Sequence, residues 1–418
     1  MRLSPYFFHA LVTIQKNRKE DIDLSEAIYA PRDNFMSKIP FNKPFFSGKE
    51  LTYIQKALEQ LHISGDGPFT KQSQSFLEKT LGTQKVLLTT SCTDALEMCA
   101  HLLDFGPGDE FIVPSFTFVS TANAFALLGA KPVFCDIRKD TLNLDERKLE
   151  KLITPKTKAI VVVHYAGVAC EMDKIMEIAN RHQIPVVEDN AHGLFGKYKG
   201  KFLGTFGALA TQSFHETKNI SCGEGGALLI NDKKYIERAE ILRDKGTNRS
   251  KFMKGMVDKY TWVDVGSSYL VSDILAAVLW AQLETYEWIQ TQRKNLWENY
   301  FKSLSSWANV NGVELPYVPK NCDQAYHMFY IKLPSLETRD SLIESLRAQN
   351  IFPVFHYIPL HSSPMGRKLG GEKTVCPVTD ETSDTLLRLP FFNTMTAQDV
   401  ERVVKAVTAF EMPTQMAA

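Results

Sequence analysis

The feature that most constrains the fold of this chain is a regular alternation of short apolar runs with helix-like segments between Lys85 and Ile230. The runs are rich in Val, Ile, Leu and Ala and have the length of buried strands, and several stretches between them repeat apolar residues at helical spacing. Strands that alternate with helices favour a mostly parallel sheet covered by helices. The predicted strands are KVLLTT, EFIVPS, KPVFCDI, KAIVVVHY, IPVVED, GALATQSF and GALLIND.

The chain divides into three predicted segments. Residues 1–38 mix charged and apolar residues without a period, which predicts a flexible N-terminal extension. Residues 39–280 contain the alternating region and predict a large α/β domain. Residues 281–418 combine short strands, helix-period segments and a Pro-rich turn, which predict a smaller C-terminal α+β domain. We expect one long helix, starting near Ser272, to be shared by the two domains.

The charge balance argues against two classes of protein. The 418 residues include 48 Lys and Arg and 48 Asp and Glu, so no basic excess exists to neutralise nucleic-acid phosphates or to hold an anionic membrane. No apolar run reaches the ~18–20 residues of a membrane helix, and the first residues make a poor signal peptide. Seven cysteines without a CxxC pair indicate reduced thiols. We therefore expect a cytoplasmic protein that binds neither nucleic acid nor membrane.

Polar residues follow the first predicted strand, where it turns into a helix. Ser91, Cys92 and Thr93 occupy this turn. Free N–H groups and the helix dipole at such a turn favour a bound phosphate. Simple helix capping by Ser91 or Thr93 is the alternative interpretation.

A second polar group follows the strand IPVVED. Glu188 and Asp189 end this apolar run, and His192 lies three residues further on. A carboxylate at such a depth requires a cationic or protonated partner. The cluster offers too few ligands at useful spacing for a metal ion, so no metal site is expected.

The third group surrounds Lys218, in the polar segment SFHETKN between two apolar runs. Ser213 precedes it by five residues, and the glycines of CGEGG follow. Most lysines are simply solvated surface residues. A partly desolvated lysine has a lowered pKa and can bond covalently to an aldehyde.

Together these three groups indicate pyridoxal phosphate. This cofactor needs a lysine for its aldehyde, an aspartate to keep its ring nitrogen protonated and a helix start for its phosphate. No GxGxxG follows the first strand and no GxxxxGK[ST] occurs, which disfavours dinucleotide and P-loop sites.

The chain also resembles a known family. The motifs SCTDAL, PSFTFVSTANA, EDNAH, SFHETKN, GEGG, GSSYLVSD and FHYIPLH are similar to those of the DegT/DnrJ/EryC/StrS family, whose members are aminotransferases of nucleotide-linked keto-sugars. The resemblance covers about residues 39–410. It implies fold-type I, a large domain with a mixed, mainly parallel sheet and a smaller C-terminal α+β domain, and a ping-pong transamination with pyridoxal phosphate.

The resemblance implies a role for each matching residue. Lys218 would bond to the cofactor and move protons, and Asp189 would pair with the pyridine nitrogen. His192 would lie near the cofactor's phenolic oxygen, and Phe118 would stack on the ring. The residues implied in holding the phosphate are Cys92, Thr93 and Ser213.

One departure from the family pattern concerns the partner subunit. Many members use a GYNYR stretch, whose Asn reaches the cofactor phosphate of the other subunit. Here the matching stretch is GSSYL, with Ser268 at the Asn position and Leu270 at the Arg position. The resemblance implies a homodimer with shared active sites, in which Ser268 would contact the phosphate less securely than Asn.

The substrates are implied by the resemblance as well. It implies L-glutamate as amino donor and a dTDP-linked keto-sugar as acceptor, with amination at C4 of dTDP-4-dehydro-6-deoxyglucose. Two alternatives stay open: a sister enzyme acting at C3 or giving the gluco epimer, and a non-catalytic regulatory protein that binds the cofactor. The candidate sugar-nucleotide contacts are His164, His327, His356 and Tyr357, each of which could equally be a structural residue.

Overall fold

The computed structural model describes residues 37–412. The predicted extension over residues 1–38 lies almost entirely outside this range. The strands are β1 (Lys85–Thr89), β2 (Glu110–Pro114), β3 (Lys131–Cys135), β4 (Thr157–Val163), β5 (Val186–Asp189), β6 (Lys197–Tyr198), β7 (Lys201–Phe202), β8 (Leu209–Ser213), β9 (Gly226–Ile230), β10 (Cys322–Asp323), β11 (Tyr330–Lys332) and β12 (Leu386–Arg388).

Helices cover the strands and form most of the C-terminal part. None of the helices between residues 37 and 412 is both long enough and apolar enough to cross a membrane. The helices are α1 (Glu50–Glu59), α2 (Pro68–Leu81), α3 (Cys92–Leu102), α4 (Val119–Ala126), α5 (Glu146–Leu149), α6 (Met172–Arg181), α7 (Ile236–Arg243), α8 (Arg249–Met253), α9 (Asp273–Leu283), α10 (Tyr286–Val310), α11 (Leu336–Ala348), α12 (Pro364–Lys368), α13 (Pro377–Thr385) and α14 (Ala397–Thr408).

The central sheet has seven strands in the order β1-β9-β8-β5-β4-β2-β3. The pairs β2–β3, β2–β4, β4–β5 and β5–β8 are parallel, whereas β9 runs antiparallel to both β1 and β8. The predicted mixed, mainly parallel sheet is therefore confirmed, and each predicted apolar run contains one of its strands. Because only β9 is reversed, the carboxyl ends of the six other strands meet at one edge.

Both faces of this sheet are buried, which explains why its strands are apolar almost throughout. In β1, Leu87 packs into a cluster with α3 and α4, while Val86 and Leu88 pack on the opposite face with α2 and α9. Alternate side chains of a strand point to opposite faces, so each face receives its own set of apolar residues.

A second core lies in the C-terminal part. It joins the apolar faces of α10, α11 and α14 to β11 and β12, which form a separate two-stranded antiparallel sheet. Ile39 also packs in this core and pairs with Ile351 in a parallel bridge. The early segment around Ile39 is thus held by residues more than 300 positions away in sequence.

The prediction of one long helix from Ser272 is wrong. The structure has two helices, α9 and α10, interrupted at Glu284 and Thr285. The hydroxyl of Thr285 donates back to the carbonyls of Ala281 and Gln282, at 3.3 and 3.1 Å. Such back-bonding by a Thr side chain bends a helix, and the apolar period alone does not reveal it.

Candidate active site

One cavity of about 710 Å³ opens at the carboxyl edge of the central sheet. Asp189 ends β5, Ser213 ends β8, and Lys218 lies in the loop that leads from β8 to β9. All three line the cavity. Parallel strands bring residues from distant sequence positions to one edge, and here that edge holds an acid and an amine.

Lys218 has the properties of a reactive amine. Its backbone N–H donates to the carbonyl of His215 at 2.9 Å, which holds the loop in a tight turn. Burial lowers the pKa of Lys218 to about 8; the carboxylate of Asp189 opposes this shift and the charge of Arg388 adds to it. A large fraction of the amine is therefore neutral near pH 8, as bonding to an aldehyde requires.

Asp189 is a buried carboxylate with few partners. Only 5% of the residue is exposed. The hydroxyl of Thr121 donates to it at 2.7 Å, and the backbone N–H of Ala191 donates at 3.1 Å. Burial raises the pKa of Asp189, and these two hydrogen bonds counteract the rise only in part. A protonated ring nitrogen placed beside the carboxylate would stabilise it.

The start of α3 forms another wall of the cavity, lined by Ser91, Cys92 and Thr93. The hydroxyl of Ser91 accepts from the N–H of Asp94 at 3.1 Å, so Ser91 is the helix cap that the alternative interpretation expected. The hydroxyl of Thr93 donates to Ser120 at 2.8 Å. Burial raises the pKa of the Cys92 thiol, which keeps it protonated and uncharged.

A glycine allows β9 to approach this helix start closely. A Cβ atom built on Gly226 would lie 2.3 Å from the carbonyl carbon of Ser91 and 2.4 Å from the nitrogen of Cys92. Only a residue without a side chain fits there. The result is a tight cradle of backbone around the N-terminus of α3, the kind of environment that binds a phosphate.

Aromatic rings and histidines form a further part of the cavity lining. His192 stacks on His327 with ring centroids 4.2 Å apart, and His356 stacks on Tyr357 at 3.6 Å. Phe118 lies 6.3 Å from Tyr357, centroid to centroid. Burial lowers the pKa of all three histidines well below the usual value, so they are neutral at pH 7.

His192 keeps one nitrogen free of protein partners. Its Nε2 lies 3.3 Å from the hydroxyl of Tyr357, while its buried Nδ1 has no hydrogen-bond partner among residues 37–412. A bound group with a hydroxyl or phenolic oxygen could satisfy this nitrogen. The amine, the acid, the helix-start cradle and this nitrogen together fit pyridoxal phosphate.

Two predicted site residues lie elsewhere. His164 is fully buried outside the cavity lining: its Nε2 is 2.9 Å from Glu188, and its Nδ1 accepts from the N–H of Cys170 at 3.2 Å. We therefore correct the expected sugar contact of His164 to a structural role, because both ring nitrogens are already used. Ser268 is exposed and does not line the cavity of its own chain.

A family model for the DegT/DnrJ/EryC1/StrS aminotransferases matches residues 46–408. The chain belongs to this aminotransferase family. An uncharacterised protein of Methanocaldococcus jannaschii, MJ1066, is 34% identical over 383 residues, which cover 90% of this chain and 97% of that protein. The family match spans both the central sheet and the C-terminal core.

Two solved structures have the same fold as this chain. Spr1654 from Streptococcus pneumoniae, assigned to the sugar aminotransferases, has been solved in a PLP form; it is 26% identical with a TM-score of 0.82, over 89% of this chain and 98% of that chain. DesV from S. venezuelae is 29% identical with a TM-score of 0.80, over 89% and 98% of the two chains. The predicted fold-type I architecture is therefore confirmed.

The sequence analysis of this aminotransferase missed two residues of the site. Thr121, which donates to Asp189, lies in the motif PSFTFVSTANA, of which only Phe118 is a predicted site residue. Arg388 lines the cavity from β12, in the C-terminal part. Its only signal in the sequence is a charged residue within the apolar run LLRLPFF.

Proposed function

We propose that this aminotransferase uses pyridoxal phosphate to move the amino group of L-glutamate to C4 of dTDP-4-dehydro-6-deoxyglucose. The products would be 2-oxoglutarate and dTDP-4-amino-4,6-dideoxygalactose. The observation that carries the cofactor assignment is the joint position of Lys218 and Asp189 in one cavity beside the start of α3.

Different residues of the cavity would hold different groups of the cofactor. Lys218 would bond to its aldehyde, and Asp189 would keep its ring nitrogen protonated. The residues that would surround its phosphate at the start of α3 are Ser91, Cys92, Thr93 and Ser213. When bound, pyridoxal phosphate withdraws electrons from the carbon that carries the transferred amine. Phe118, 56% exposed and on the cavity wall, is free to stack on the ring.

Proton transfer is assigned to Lys218. With a pKa of about 8, its amine can release and take up a proton near neutral pH. Burial holds the pKa of the neighbouring His192 and His327 well below the usual value, so these stacked rings are weaker bases than the amine of Lys218. Lys218 is thus the group in the cavity best suited to move a proton between the α-carbon of a bound substrate and the carbon of the cofactor's aldehyde.

The choice of acceptor rests on sequence motifs. SFHETKN, GSSYLVSD and FHYIPLH resemble those of the enterobacterial transaminase that forms dTDP-4-amino-4,6-dideoxygalactose. His327, His356 and Tyr357 line the cavity where a sugar would approach Lys218. A homodimer in which Ser268 reaches the partner's site belongs to the same proposal.

The first test is chemical labelling of the cofactor site. Borohydride reduction of the holoenzyme followed by peptide mapping should place the cofactor on Lys218. A label on another lysine would overturn the assignment.

The second test identifies the product. Enzyme, L-glutamate and dTDP-4-dehydro-6-deoxyglucose are incubated, and the coupling between sugar H3 and H4 is measured by NMR. A small coupling means the axial galacto amine. A large coupling means the gluco epimer and overturns the specific product, and an amine at C3 overturns the regiochemistry.

A further inference from the structure

Asn219, the residue after Lys218, is buried and uses both ends of its side-chain amide. Its Nδ2 donates to the carbonyl of Ala325 at 2.7 Å and to the Oε1 of Gln290 at 3.1 Å. Its Oδ1 lies 2.9 Å from the Nδ1 of His327, a residue that lines the cavity. The proposed function gives Asn219 no role, although a single residue thus links the backbone of Lys218 to the ring of His327.

The orientation of the Asn219 amide follows from these partners. The backbone carbonyl of Ala325 can only accept a hydrogen bond, so the group of Asn219 that meets it at 2.7 Å is the NH2 group. The other end of the amide is then the oxygen, which also can only accept. The Nδ1 of His327, 2.9 Å from this oxygen, must therefore carry a proton.

This proton decides what His327 offers to the cavity. Burial, together with the charges of His192 and Lys218, holds the pKa of His327 well below the usual value, so the ring is neutral at pH 7. A neutral imidazole has one proton, and a proton on Nδ1 leaves the Nε2 with a bare lone pair. The Nε2 of His327 forms no hydrogen bond with any residue between 37 and 412. The cavity lining thus contains a nitrogen that can accept a hydrogen bond and cannot donate one.

The rest of His327 is held in place as well. The buried guanidinium of Arg293 donates to the backbone carbonyls of Tyr326 and His327. The ring of His192 stacks on the ring of His327. Because backbone, ring plane and Nδ1 are each fixed by a neighbour, the direction of the Nε2 lone pair is fixed too.

We propose that Asn219 is a positioning residue that sets the tautomer of His327, and that the Nε2 of His327 accepts a hydrogen bond from the 3-hydroxyl of the acceptor sugar. This inference rests on the proposed function, because it assigns a contact within the same cavity. Carboxylate and phosphate oxygens carry no proton near neutral pH, so a bare nitrogen has no hydrogen bond to offer them. L-Glutamate has no donor besides its amine, which reacts with the cofactor. A sugar hydroxyl is the group that fits.

The 3-hydroxyl is selected by the chemistry of the acceptor. In dTDP-4-dehydro-6-deoxyglucose the keto carbon C4 lies between C3, which carries a hydroxyl, and C5, which carries the methyl group and the ring oxygen. The 3-hydroxyl is therefore the only hydrogen-bond donor next to the reacting carbon. Since Asn219 directly follows Lys218 and contacts the ring of His327, the Nε2 borders the part of the cavity in which this carbon reacts.

Nitrogen NMR of the holoenzyme measures the tautomer directly. Protein with ¹⁵N-labelled histidine is compared with His327→Gln, which assigns the ring signals of His327. In the wild type, Nδ1 should give the shift of a protonated nitrogen and Nε2 that of a bare one. Asn219→Ala removes the acceptor and should move the signals toward the form with the proton on Nε2. Asn219→Asp keeps an acceptor oxygen and should retain the wild-type tautomer, and its carboxylate should raise the pKa of His327.

Binding of two unreactive probes to the holoenzyme tests the sugar contact. dTDP-6-deoxygalactose resembles the proposed product with a hydroxyl in place of the amine. Its 3-deoxy-3-fluoro analogue replaces the 3-hydroxyl by an atom of similar size that cannot donate. By isothermal titration calorimetry, the wild type should bind the fluoro probe about tenfold more weakly. Asn219→Ala should discriminate by about threefold or less, because its His327 can carry the proton on Nε2.

Asn231→Ala is the matched control. The Nδ2 of Asn231 donates to the carbonyls of Gly204 and Gly207, and its Oδ1 accepts from the hydroxyl of Thr83, so it makes the same kinds of contact outside the cavity lining. This variant should lower the melting temperature as Asn219→Ala does. It should leave the His327 signals and the discrimination between the two probes unchanged.

Three results would overturn the proposal: a proton on the Nε2 of His327 in the wild type, equal binding of the two probes by the wild type, and unchanged discrimination in Asn219→Ala. An equal loss of discrimination in Asn231→Ala would reduce Asn219 to a structural residue. Failure of the proposed function looks different, because the wild type would then bind neither probe. That result would overturn the acceptor and the hydroxyl contact together, while the NMR signals would still report the tautomer.

Discussion

Glu188 and Asp189 are neighbours at the end of β5, yet they belong to two different regions. Glu188 is fully buried and accepts the backbone N–H groups of Gly204, Phe206 and Gly207 at 2.8, 2.7 and 2.6 Å. His164 adds a fourth contact at 2.9 Å. Asp189 faces the cavity and receives only Thr121 and the N–H of Ala191. We call the first the closed carboxylate and the second the open carboxylate.

The difference shows how a strand separates structure from chemistry. Successive side chains of β5 point to opposite faces, so adjacent acids meet different surroundings. The closed carboxylate anchors the loop at residues 203–207 to the sheet. Both of its oxygens already accept hydrogen bonds from the protein, so they are not available to a ligand. The open carboxylate is short of donors, and burial raises its pKa, so a bound cation would stabilise it.

The largest effect should come from Lys218, which shares the cavity with the open carboxylate. Lys218→Arg keeps the positive charge but cannot bond to an aldehyde or release a proton near neutral pH. We expect turnover to fall by more than about 10⁴-fold, the upper range for a positioned proton-transferring group. Steady-state amino transfer from L-glutamate measures it. Lys201→Arg, on the exposed strand β7, should retain full activity, and an active Lys218→Arg would contradict the assignment.

Breaking the closed carboxylate should cost stability rather than chemistry. Glu188→Gln places an NH2 group against backbone N–H donors and leaves at least one of them unsatisfied. We expect the free energy of unfolding to fall by about 3 kcal/mol or more. Urea unfolding of the cofactor-free protein measures this loss. A variant as stable as wild type would mean that the four contacts to Glu188 do not stabilise the fold.

Neutralising the open carboxylate should lower the rate of the reaction rather than the stability of the fold. Asp189→Asn keeps the shape but loses the charge that stabilises a protonated ring nitrogen, so turnover should fall by about one to two decades, or about 1.5–3 kcal/mol. The donor half-reaction, followed in single turnover, measures this fall. Near-normal turnover would contradict the role of Asp189.

The Asp189→Asn variant also tests whether the charged carboxylate of Asp189 stabilises or destabilises the cofactor-free fold. Because burial raises the pKa of Asp189 in the folded protein, protonation favours folding, and this contribution is lost as the pH rises through the folded-state pKa. At pH 7 the cofactor-free Asp189→Asn protein should therefore melt no lower than wild type. Glu188→Gln, measured side by side, should melt lower.

The smallest expected effect is a shift in a titration. In the cofactor-free protein, labelling of Lys218 by an amine-reactive reagent should rise with a midpoint near pH 8, well below that of exposed lysines. Since the charge of Arg388 lowers the pKa of Lys218, Arg388→Gln should move this midpoint to higher pH. Peptide mapping by mass spectrometry across a pH series measures both. A midpoint near 10.5 in the wild type would contradict the desolvated environment of Lys218.

The site residues that lie at the ends of the strands of the central sheet could largely be predicted from the sequence. Asp189, Lys218 and Ser213 lie at or just after strand ends, and the strands are recognisable because both of their faces are apolar. The start of α3 follows β1 in the same way. These positions depend on local patterns, and parallel pairing brings them to one edge.

The histidines of the site and Arg388 could not be predicted with the same accuracy. His164 and His192 both follow apolar strands, but His164 serves the closed carboxylate while His192 lines the cavity. Arg388 comes from a short strand of the C-terminal sheet and meets the cavity only through packing of the second core. Nothing in the local pattern distinguishes these outcomes.

The sequence by itself determined the class of sheet, its strands and the acid and amine at their ends, because apolar periodicity and polar strand ends are local properties. Only the tertiary structure decided which of two adjacent carboxylates is closed and which is open. It also decided which histidines line the cavity and that the guanidinium of Arg388, 170 positions beyond Lys218, lines the same cavity. Burial and partner count depend on what packs against a side chain, and those neighbours come from distant parts of the chain.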